Sequence, residues 1–247
     1  DSRVSSLALQ YAEKHNTSLG GIKGSGVRGR IMRSDVQKAL SISSAPGLGE
    51  IITMDSMRRV IARRMSESAF TSPHLYFFTD ILMCPILDFK HAVQSDFEAR
   101  FGQKLSVNDL LIKAVALSIA DYPMLNSEIK EDEIHIHPEV NISLAVALKE
   151  GLIVPAIAGA DTAGLSEIVS QRIDLVQRAH SGKLTMDEIE RGTFTISSLA
   201  QYDITHFTAI INPPQSGILS VGKVRDELYL DNKEVKSRKI TTFGLSV

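Results

Sequence analysis

Apolar residues recur at helical spacing in two short stretches of the first forty positions. Val4, Leu7, Ala8, Tyr11 and Ala12 fall on one face, and "RSDVQKAL" at 33–40, with Ser34 as its cap, predicts a second short helix. A glycine-rich loop joins them. At 41–50 the periodicity gives way to "SISSAPGLGE", small, polar and Pro/Gly-bearing, which reads as a linker. The pattern therefore predicts a small all-α domain over 1–40, a linker over 41–50 and a larger domain over 51–247.

In the larger part, Met57, Val60, Ile61, Met65, Ser68 and Ala69 make one stripe with Arg58, Arg59, Arg63 and Arg64 around it, an amphipathic helix over 56–70. "SVNDLLIKAVALSIADYP" opens on a capping pair, Ser106 and Asp109, and is apolar nearly all round until Pro123 stops it. That predicts a buried central helix. Leu165, Ile168, Val169, Ile173 and Val176 mark another, and Thr185 with Glu188 caps a short one. "EVNISLAVALKEGLIVPAI" alternates, with Val140, Ile142, Leu144, Val146 and Leu148 on one face, turns at residues 149–151 and returns as Leu152–Pro155. Further strands are expected at 75–82, 193–199, 206–212, 217–224 and 239–247. Helices and hairpins are mixed rather than strictly alternating, which implies an α+β body with a largely antiparallel or mixed sheet.

Composition narrows the class. With 43% hydrophobic and 23% charged residues the chain is globular rather than disordered. No apolar run approaches the ~20 residues of a membrane span, and the N-terminus lacks a signal-peptide pattern, so a soluble protein without a membrane partner is expected. The one cysteine, Cys84, cannot form an internal disulfide, which suits an intracellular setting and reads as a small buried hydrophobe. Charge is uneven: residues 1–40 carry seven Lys/Arg against three acids, a net +4, while the chain as a whole is −2. A basic module beside an acidic body suggests docking onto an acidic partner surface. Nucleic acid ranks lower, because the module has one aromatic, Tyr11, and no basic run longer than two residues.

Residues Gly24–Gly29, "GSGVRG", match G-x-G-x-x-G, the dinucleotide fingerprint. That site needs a strand running into the glycines and a helix after them inside a βαβ unit. Here a helix precedes, and a linker follows before any second strand. Glycines supplying positive φ in a tight loop are the better reading.

At this loop the sequence meets a family. "SSLALQYAEKH" with "GIKGSGVRGRIMRSDVQKAL" resembles the peripheral subunit-binding domain of the 2-oxo acid dehydrogenase acyltransferases. "MRRVIARRMSES" into "SPHLYF", "NDLLIKAVALSIADYPMLNS", "VNISLAVALKEGLIVPAI", "GTFTISSL" and "FTAIINPPQSGILSVG" resemble the catalytic domain of the same proteins. The resemblance implies a chloramphenicol-acetyltransferase-like body, assembled as trimers within a 24- or 60-copy hollow core. The implied reaction moves an acyl group from a dihydrolipoyl thioester to coenzyme A. It implies docking of a 2-oxo acid decarboxylase or dihydrolipoamide dehydrogenase through residues 1–40, with Lys23, Arg28, Arg30 and Arg33 as the gripping cations. Asp35 is expected to satisfy loop amides instead. "FTAIINPPQSGILSVG" is most like the pyruvate dehydrogenase acetyltransferases, which favours acetyl; branched-chain and succinyl transfer stay open. The implied compartment is bacterial cytoplasm or mitochondrial matrix.

A thiol attacking a thioester needs a base and a donor to the tetrahedral oxygen. In the family the donor is a hydroxyl of the "TFTIS" strand, here Ser197, and the base is the histidine of a His-x-x-x-Asp-Gly motif. None of the seven histidines, His15, His74, His91, His135, His137, His180 and His206, is followed by that pattern. His74 reads as structural or interfacial, and His135 and His137 as hairpin residues rather than metal ligands. In the family the motif follows the strand that "ITTFGLSV" resembles, so base, acid and final helix are expected beyond Val247 and the 247 residues alone are expected to be inactive. The Ser197 hydroxyl would face a histidine from a neighbouring subunit. The swinging lipoyl domain is likewise expected outside the chain. Two rival readings remain at this level: an acyltransferase-like subunit that only docks partners and builds the core, and, less favoured, transfer to a small alcohol.

Overall fold

The small unit is organised by alanines that let two helices approach. A computed structural model describes residues 4–14, 18–43, 48–148 and 151–247. It divides into Asp1–Met54 and Asp55–Val247. In the first, α1 (Ser6–Lys14) and α2 (Arg33–Ser43) bury Ala8, Ala12 and Val36, with Val4, Tyr11, Leu19, Ile22 and Ile31 around them. Asp35, in the first turn of α2, accepts from the backbone N–H of both Met32 and Ser25 at 2.8 Å. Those two amides, Met32 first, hold its carboxyl below the usual carboxylate range. The glycine loop is thereby tied to the start of α2, as the sequence suggests. Only Gly29 of the G-x-G-x-x-G run has positive φ, +75°; a Cβ on Gly24 would stand 2.4 Å from the Gly29 carbonyl oxygen. Close backbone approach, more than backbone freedom, requires the first glycine. Helix α2 continues through Ser43 into the stretch read as linker; residues 44–47 and His15 lie outside the described residues.

The second unit opens with α3 (Ser56–Thr71), where Asp55 Oδ1 accepts from the Arg58 N–H at 2.7 Å. After β1 (Tyr76–Leu82) comes α4 (Cys84–Phe101), a helix the sequence pattern did not predict. Its apolar residues are spread around the helix, so no clean stripe shows. Pro85 in its first turn and Gly102 just past its end, at φ +66°, were the readable punctuation. Helix α5 (Val107–Asp121) carries the expected capping box: Ser106 Oγ accepts from the Asp109 N–H at 3.3 Å, and Asp109 accepts from the Ser106 N–H at 2.7 Å. A hairpin of β2 (Ser127–Lys130) and β3 (Glu133–Ile136) follows. The chain then forms β4 (Ile142–Leu144), β5 (Val146–Ala147), β6 (Leu152–Ile153) and β7 (Ala156–Ile157). Helices α6 (Leu165–His180) and α7 (Met186–Glu190) lead to β8 (Phe194–Ser198), β9 (Ile218–Val221), β10 (Arg225–Asp231) and β11 (Glu234–Ser246).

The main sheet runs β1-β11-β9-β8-β4-β7, with β10 hydrogen-bonded to the outer half of β11. Strands β4, β8 and β9 are parallel to one another and the other pairings are antiparallel, so the sheet is mixed. One face carries Ile142, Ile157, Phe194, Ile196 and Val221 against Leu111, Ile112, Ala116 and Ile119 of α5 and Ile168 and Leu175 of α6. Each such isoleucine, wholly out of water, contributes about 2 kcal/mol. The expected single strand over 140–148 is broken: β4 belongs to the main sheet, while β5 leaves it to pair with β6. Both faces of β4 are buried, Asn141 and Ser143 as well as Val140 and Ile142. The alternation in the sequence separates apolar from hydrogen-bonded, not inside from outside.

The expected strand at 206–212 is absent; its carbonyls are taken by side chains instead, as described below. The long β10–β11 ribbon is pinned to β1: Thr242 Oγ1 donates to Asp80 at 2.6 Å and Arg225 reaches the same carboxylate at 2.9 and 3.0 Å. The Thr242 hydroxyl, then Arg225, hold the Asp80 carboxyl below its ordinary range.

Arg178 locks α6 to α7 by gripping Glu188 and Asp174 together. Glu188 also accepts from the Thr185 N–H at 2.8 Å, closing the second capping box. The Arg178 guanidinium is the main reason the Glu188 carboxyl falls from 4.5 to about 2. A carboxyl depressed in the folded state stabilises above its unfolded pKa and loses that contribution as pH falls through the folded one. Glu188→Gln is therefore expected to lower stability near neutral pH by about 1.5 kcal/mol. In urea unfolding the gap should close between pH 4.5 and about 2.

Candidate active site

Strand β8 lies in the middle of the sheet with helices on one side, so alternation sends Phe194 and Ile196 into the apolar layer and Thr193, Thr195 and Ser197 to the other face. That second face is also covered. Thr193 and Thr195 are 3% and 1% exposed, and burying hydroxyls without partners would be costly. Each is accordingly engaged. The Asn141 N–H donates to Thr193 Oγ1 at 3.1 Å, and Thr195 Oγ1 donates to Gln215 Oε1 at 2.5 Å. Gln215 in turn donates to the Gly192 carbonyl at 2.9 Å and Ser143 Oγ at 3.4 Å.

The cover is the segment running from Thr205 to Gln215. It lies across the sheet without strand pairing, because hydroxyls below and beside it take its carbonyls. Ser220 Oγ donates to Phe207 O at 2.8 Å, Ser246 Oγ to Ala209 O at 2.9 Å and Ser68 Oγ to Ile211 O at 2.6 Å. The Ile211 N–H donates to His74 Nε2 at 3.0 Å, while His74 Nδ1 lies 2.6 Å from Ser72 O. These two bonds require the tautomer with the proton on Nδ1. His74 is thus a structural residue that fixes the strap to the end of α3. A Cβ on Gly222 would stand 1.8 Å from Thr205 O, so only glycine allows the strap to begin this close to β9.

Ser197 is different from its neighbours. It pairs across the sheet with Ser220, which pairs with Gly244, which pairs with Phe78. It is half-buried, and among the described residues its hydroxyl has no hydrogen-bond partner. A donor sits at the centre of a rigid sheet with its proton uncommitted. His206, close in sequence, packs edge-on against Phe78 with ring centroids 5.6 Å apart. No hydrogen bond joins His206 to Ser197 among the described residues.

On the opposite face of β8, Ser198 lines a cavity of about 700 Å³ with Asn108, Ala145, Arg172, His180 and Tyr202. Arg172 is aimed by a fully buried carboxylate: its Nε donates to Asp109 Oδ1 at 2.5 Å and its Nη2 to Oδ2 at 3.2 Å. Asp109 also accepts from Ser106 Oγ at 2.7 Å. Among the described residues Nη1 of Arg172 is unpartnered. The guanidinium held by Asp109 and the His180 side chain both line this cavity. No cluster of metal-ligating side chains occurs among the described residues. His135 meets Glu133 on the β2–β3 hairpin at 3.0 Å, an exposed pair.

Sequence reading singled out Ser197 through the resemblance and passed over Arg172, Asn141 and Gln215. Their signal is burial of a polar group, which no periodicity announces. In the small unit Lys23, Arg30 and Arg33 are exposed, and Arg33 Cζ lies 4.9 Å from the centre of the Tyr11 ring. The side chain of Arg28 lies outside the described residues.

The fold is that of an α+β acyltransferase-type body, preceded in the sequence by a small helical unit. The chain belongs to the 2-oxoacid dehydrogenases acyltransferase (catalytic domain) family, whose model matches residues 47–247; a model of the e3 binding domain matches residues 5–37. It is similar to the dihydrolipoyllysine-residue acetyltransferase component of the pyruvate dehydrogenase complex of Rickettsia bellii, 36% identical over 98% of this chain and 60% of that one. The mitochondrial counterpart of Schizosaccharomyces pombe is 36% identical over 96% of this chain and 53% of that one. A crystal structure of a probable dihydrolipoamide acetyltransferase from Listeria monocytogenes superposes with a TM-score of 0.76 at 30% identity, covering 81% of this chain and 86% of that one. The chain spans a little over half the length of the curated relatives it matches.

Asp109 is the joint of the cavity wall. Removing its charge leaves Arg172 buried beside a neutral acceptor, so Asp109→Asn is expected to cost about 3 kcal/mol in urea unfolding. Asp109→Asn together with Arg172→Met should recover part of that loss.

Proposed function

We propose that the protein is the acyltransferase core subunit of a 2-oxo acid dehydrogenase complex, passing an acyl group, acetyl first among the candidates, from S-acyl-dihydrolipoyl-lysine to coenzyme A. The observation that carries this reading is the Ser197 hydroxyl, which has no partner among the described residues on the strand where Thr195 is bonded to Gln215. Attack of the coenzyme A sulfur on the thioester carbonyl forms a tetrahedral carbon bearing O⁻. A fixed O–H donor stabilises that charge without reorganising. The C–S bond to dihydrolipoyl then breaks, and the proton removed from the coenzyme A thiol ends on the departing sulfur. The base for that transfer is assigned, by the resemblance, to a His-x-x-x-Asp-Gly histidine of a neighbouring subunit. The cavity with Arg172 and His180 is suited to the anionic end of coenzyme A. The lipoyl group is delivered on a separate domain.

Residues 1–40 serve as the docking module for the decarboxylase or dihydrolipoamide dehydrogenase, with Lys23, Arg28, Arg30 and Arg33 as its cations. Trimer formation is supported by the edge strand β1, where Tyr76, Phe77, Phe78 and Leu82 are all more than 40% exposed. The working compartment is bacterial cytoplasm or mitochondrial matrix; no described helix is long and apolar enough to cross a membrane.

The test is transfer from acyl-dihydrolipoamide to coenzyme A by the full-length protein. Ser197→Ala is expected to lower kcat about 100-fold with little change in KM. Acetyl is expected to outrun isobutyryl and succinyl donors. Absence of turnover by the full-length wild type would reduce the protein to a docking and assembly subunit.

A further inference from the structure

Strand β8 loses one of its two neighbours just before Ser197. The β4–β8 register runs Ile142 to Phe194, Ser143 to Thr195 and Leu144 to Ile196, and a last bond from the Ala145 N–H to Ile196 O, 3.1 Å, ends it. Strand β5 then pairs with β6 in a separate hairpin. On the other side β9 continues beside Ser197 and Ser198. Ser197 is thus paired along one edge only, and where its side chain points depends on how firmly β8 is fixed just upstream. Thr195, two residues back and on the same face, is the last residue of that face with strand neighbours on both sides, Ser143 and Ile218.

At that point a single side chain bridges three segments. Gln215, 7% exposed, accepts from Thr195 Oγ1 at 2.5 Å through Oε1 and donates through Nε2 to Gly192 O at 2.9 Å and to Ser143 Oγ at 3.4 Å. Its backbone N–H donates to Asn212 O at 3.0 Å, so the same residue closes the end of the strap. The packing leaves no slack: a Cβ on Gly192 would stand 1.8 Å from Ser143 Oγ and 3.0 Å from Gln215 Nε2. A buried amide with both polar atoms bonded holds one geometry, because a shift of β8 would break bonds in a space closed to water. We infer that Gln215 is a positioning residue for acyl transfer: through the Thr195 hydroxyl it fixes β8 and so aims the Ser197 hydroxyl at the oxygen that becomes charged. This rests on the oxyanion role proposed for Ser197 above. A small displacement of that donor leaves substrate binding intact and weakens a bond made only in the transition state, so the cost falls on kcat.

The experiment is a double-mutant cycle on transfer from acetyl-dihydrolipoamide to coenzyme A by the full-length protein, with rates referred to the folded fraction measured by urea unfolding. Thr195→Val keeps the shape and removes only the link to Gln215; it should lower kcat about ten-fold with KM for coenzyme A unchanged. Gln215→Met removes the whole bridge and should do at least as much, while Thr195→Ser, which restores the hydroxyl, should recover most of the loss. In the Ser197→Ala background Thr195→Val and Gln215→Met should change kcat by less than about two-fold, since a group that acts through the serine hydroxyl has nothing left to aim. Wild-type kcat in Thr195→Val, equal losses in both backgrounds, a raised KM at unchanged kcat, or no recovery in Thr195→Ser overturns the positioning role and leaves the role of Ser197 standing. A Ser197→Ala variant as active as the wild type overturns that role itself.

Discussion

Strand β8 is buried on both faces, and this one constraint orders the catalytic body. An apolar face can be covered by any well-shaped hydrophobic surface, but a face of threonines and serines must be covered by groups that hydrogen-bond. Helices α5 and α6 meet the first requirement. The second is met by Asn141, by Gln215 and by a strap whose carbonyls are capped one after another by Ser220, Ser246 and Ser68. Glycine at 222 and at 192 follows from the same close packing, since each stands where a Cβ would meet an oxygen at 1.8 Å, Thr205 O and Ser143 Oγ respectively. The strap's failure to become a strand is thus a consequence of the hydroxyl-rich surface beneath it.

Much of this was legible in the sequence, and what was not has a physical reason. The capping boxes at Ser106 and Thr185 were readable because they are local: two residues three apart complete each other's bonds. Helix α4 was not, because its apolar residues turn to more than one side: Ile86, Val93 and Phe97 pack inward while Phe89 and Phe101 are about half exposed. The segment 206–212 alternates like a strand, yet alternation records only that successive side chains face opposite ways; which group takes each carbonyl depends on Ser68, Ser220 and Ser246, distant in sequence. The site behaves the same way. Ser197 came from a motif, but Arg172 and Asp109 are 63 positions apart and look like two ordinary charged residues until the fold buries one against the other.

The two units divide the work by their surfaces. The small one has a three-residue buried apolar cluster and leaves its cations, Val27 and Met32 outward. One carboxylate, Asp35, ties its loop to its second helix. The large one pairs the buried Asp109 with Arg172 and sets the cavity that Arg172 lines and the Ser197 hydroxyl on opposite faces of the same strand. A rigid sheet is what lets two such features keep a fixed relation.

The Ser197 hydroxyl is only half-buried and open to water, so leaving it without a protein partner costs little in folding. Ser220, one strand away, reaches two carbonyl oxygens, Phe207 O and Gly244 O. Ser197 makes no such bond among the described residues. The strap that serves Ser220 turns away over β11 toward α3 before it returns to Gln215, and so passes Ser197 by. The path of the strap therefore both rigidifies the strand and withholds an acceptor at one position. A donor held in place by its strand neighbours, with no protein acceptor to displace, is what the oxyanion role proposed for Ser197 requires.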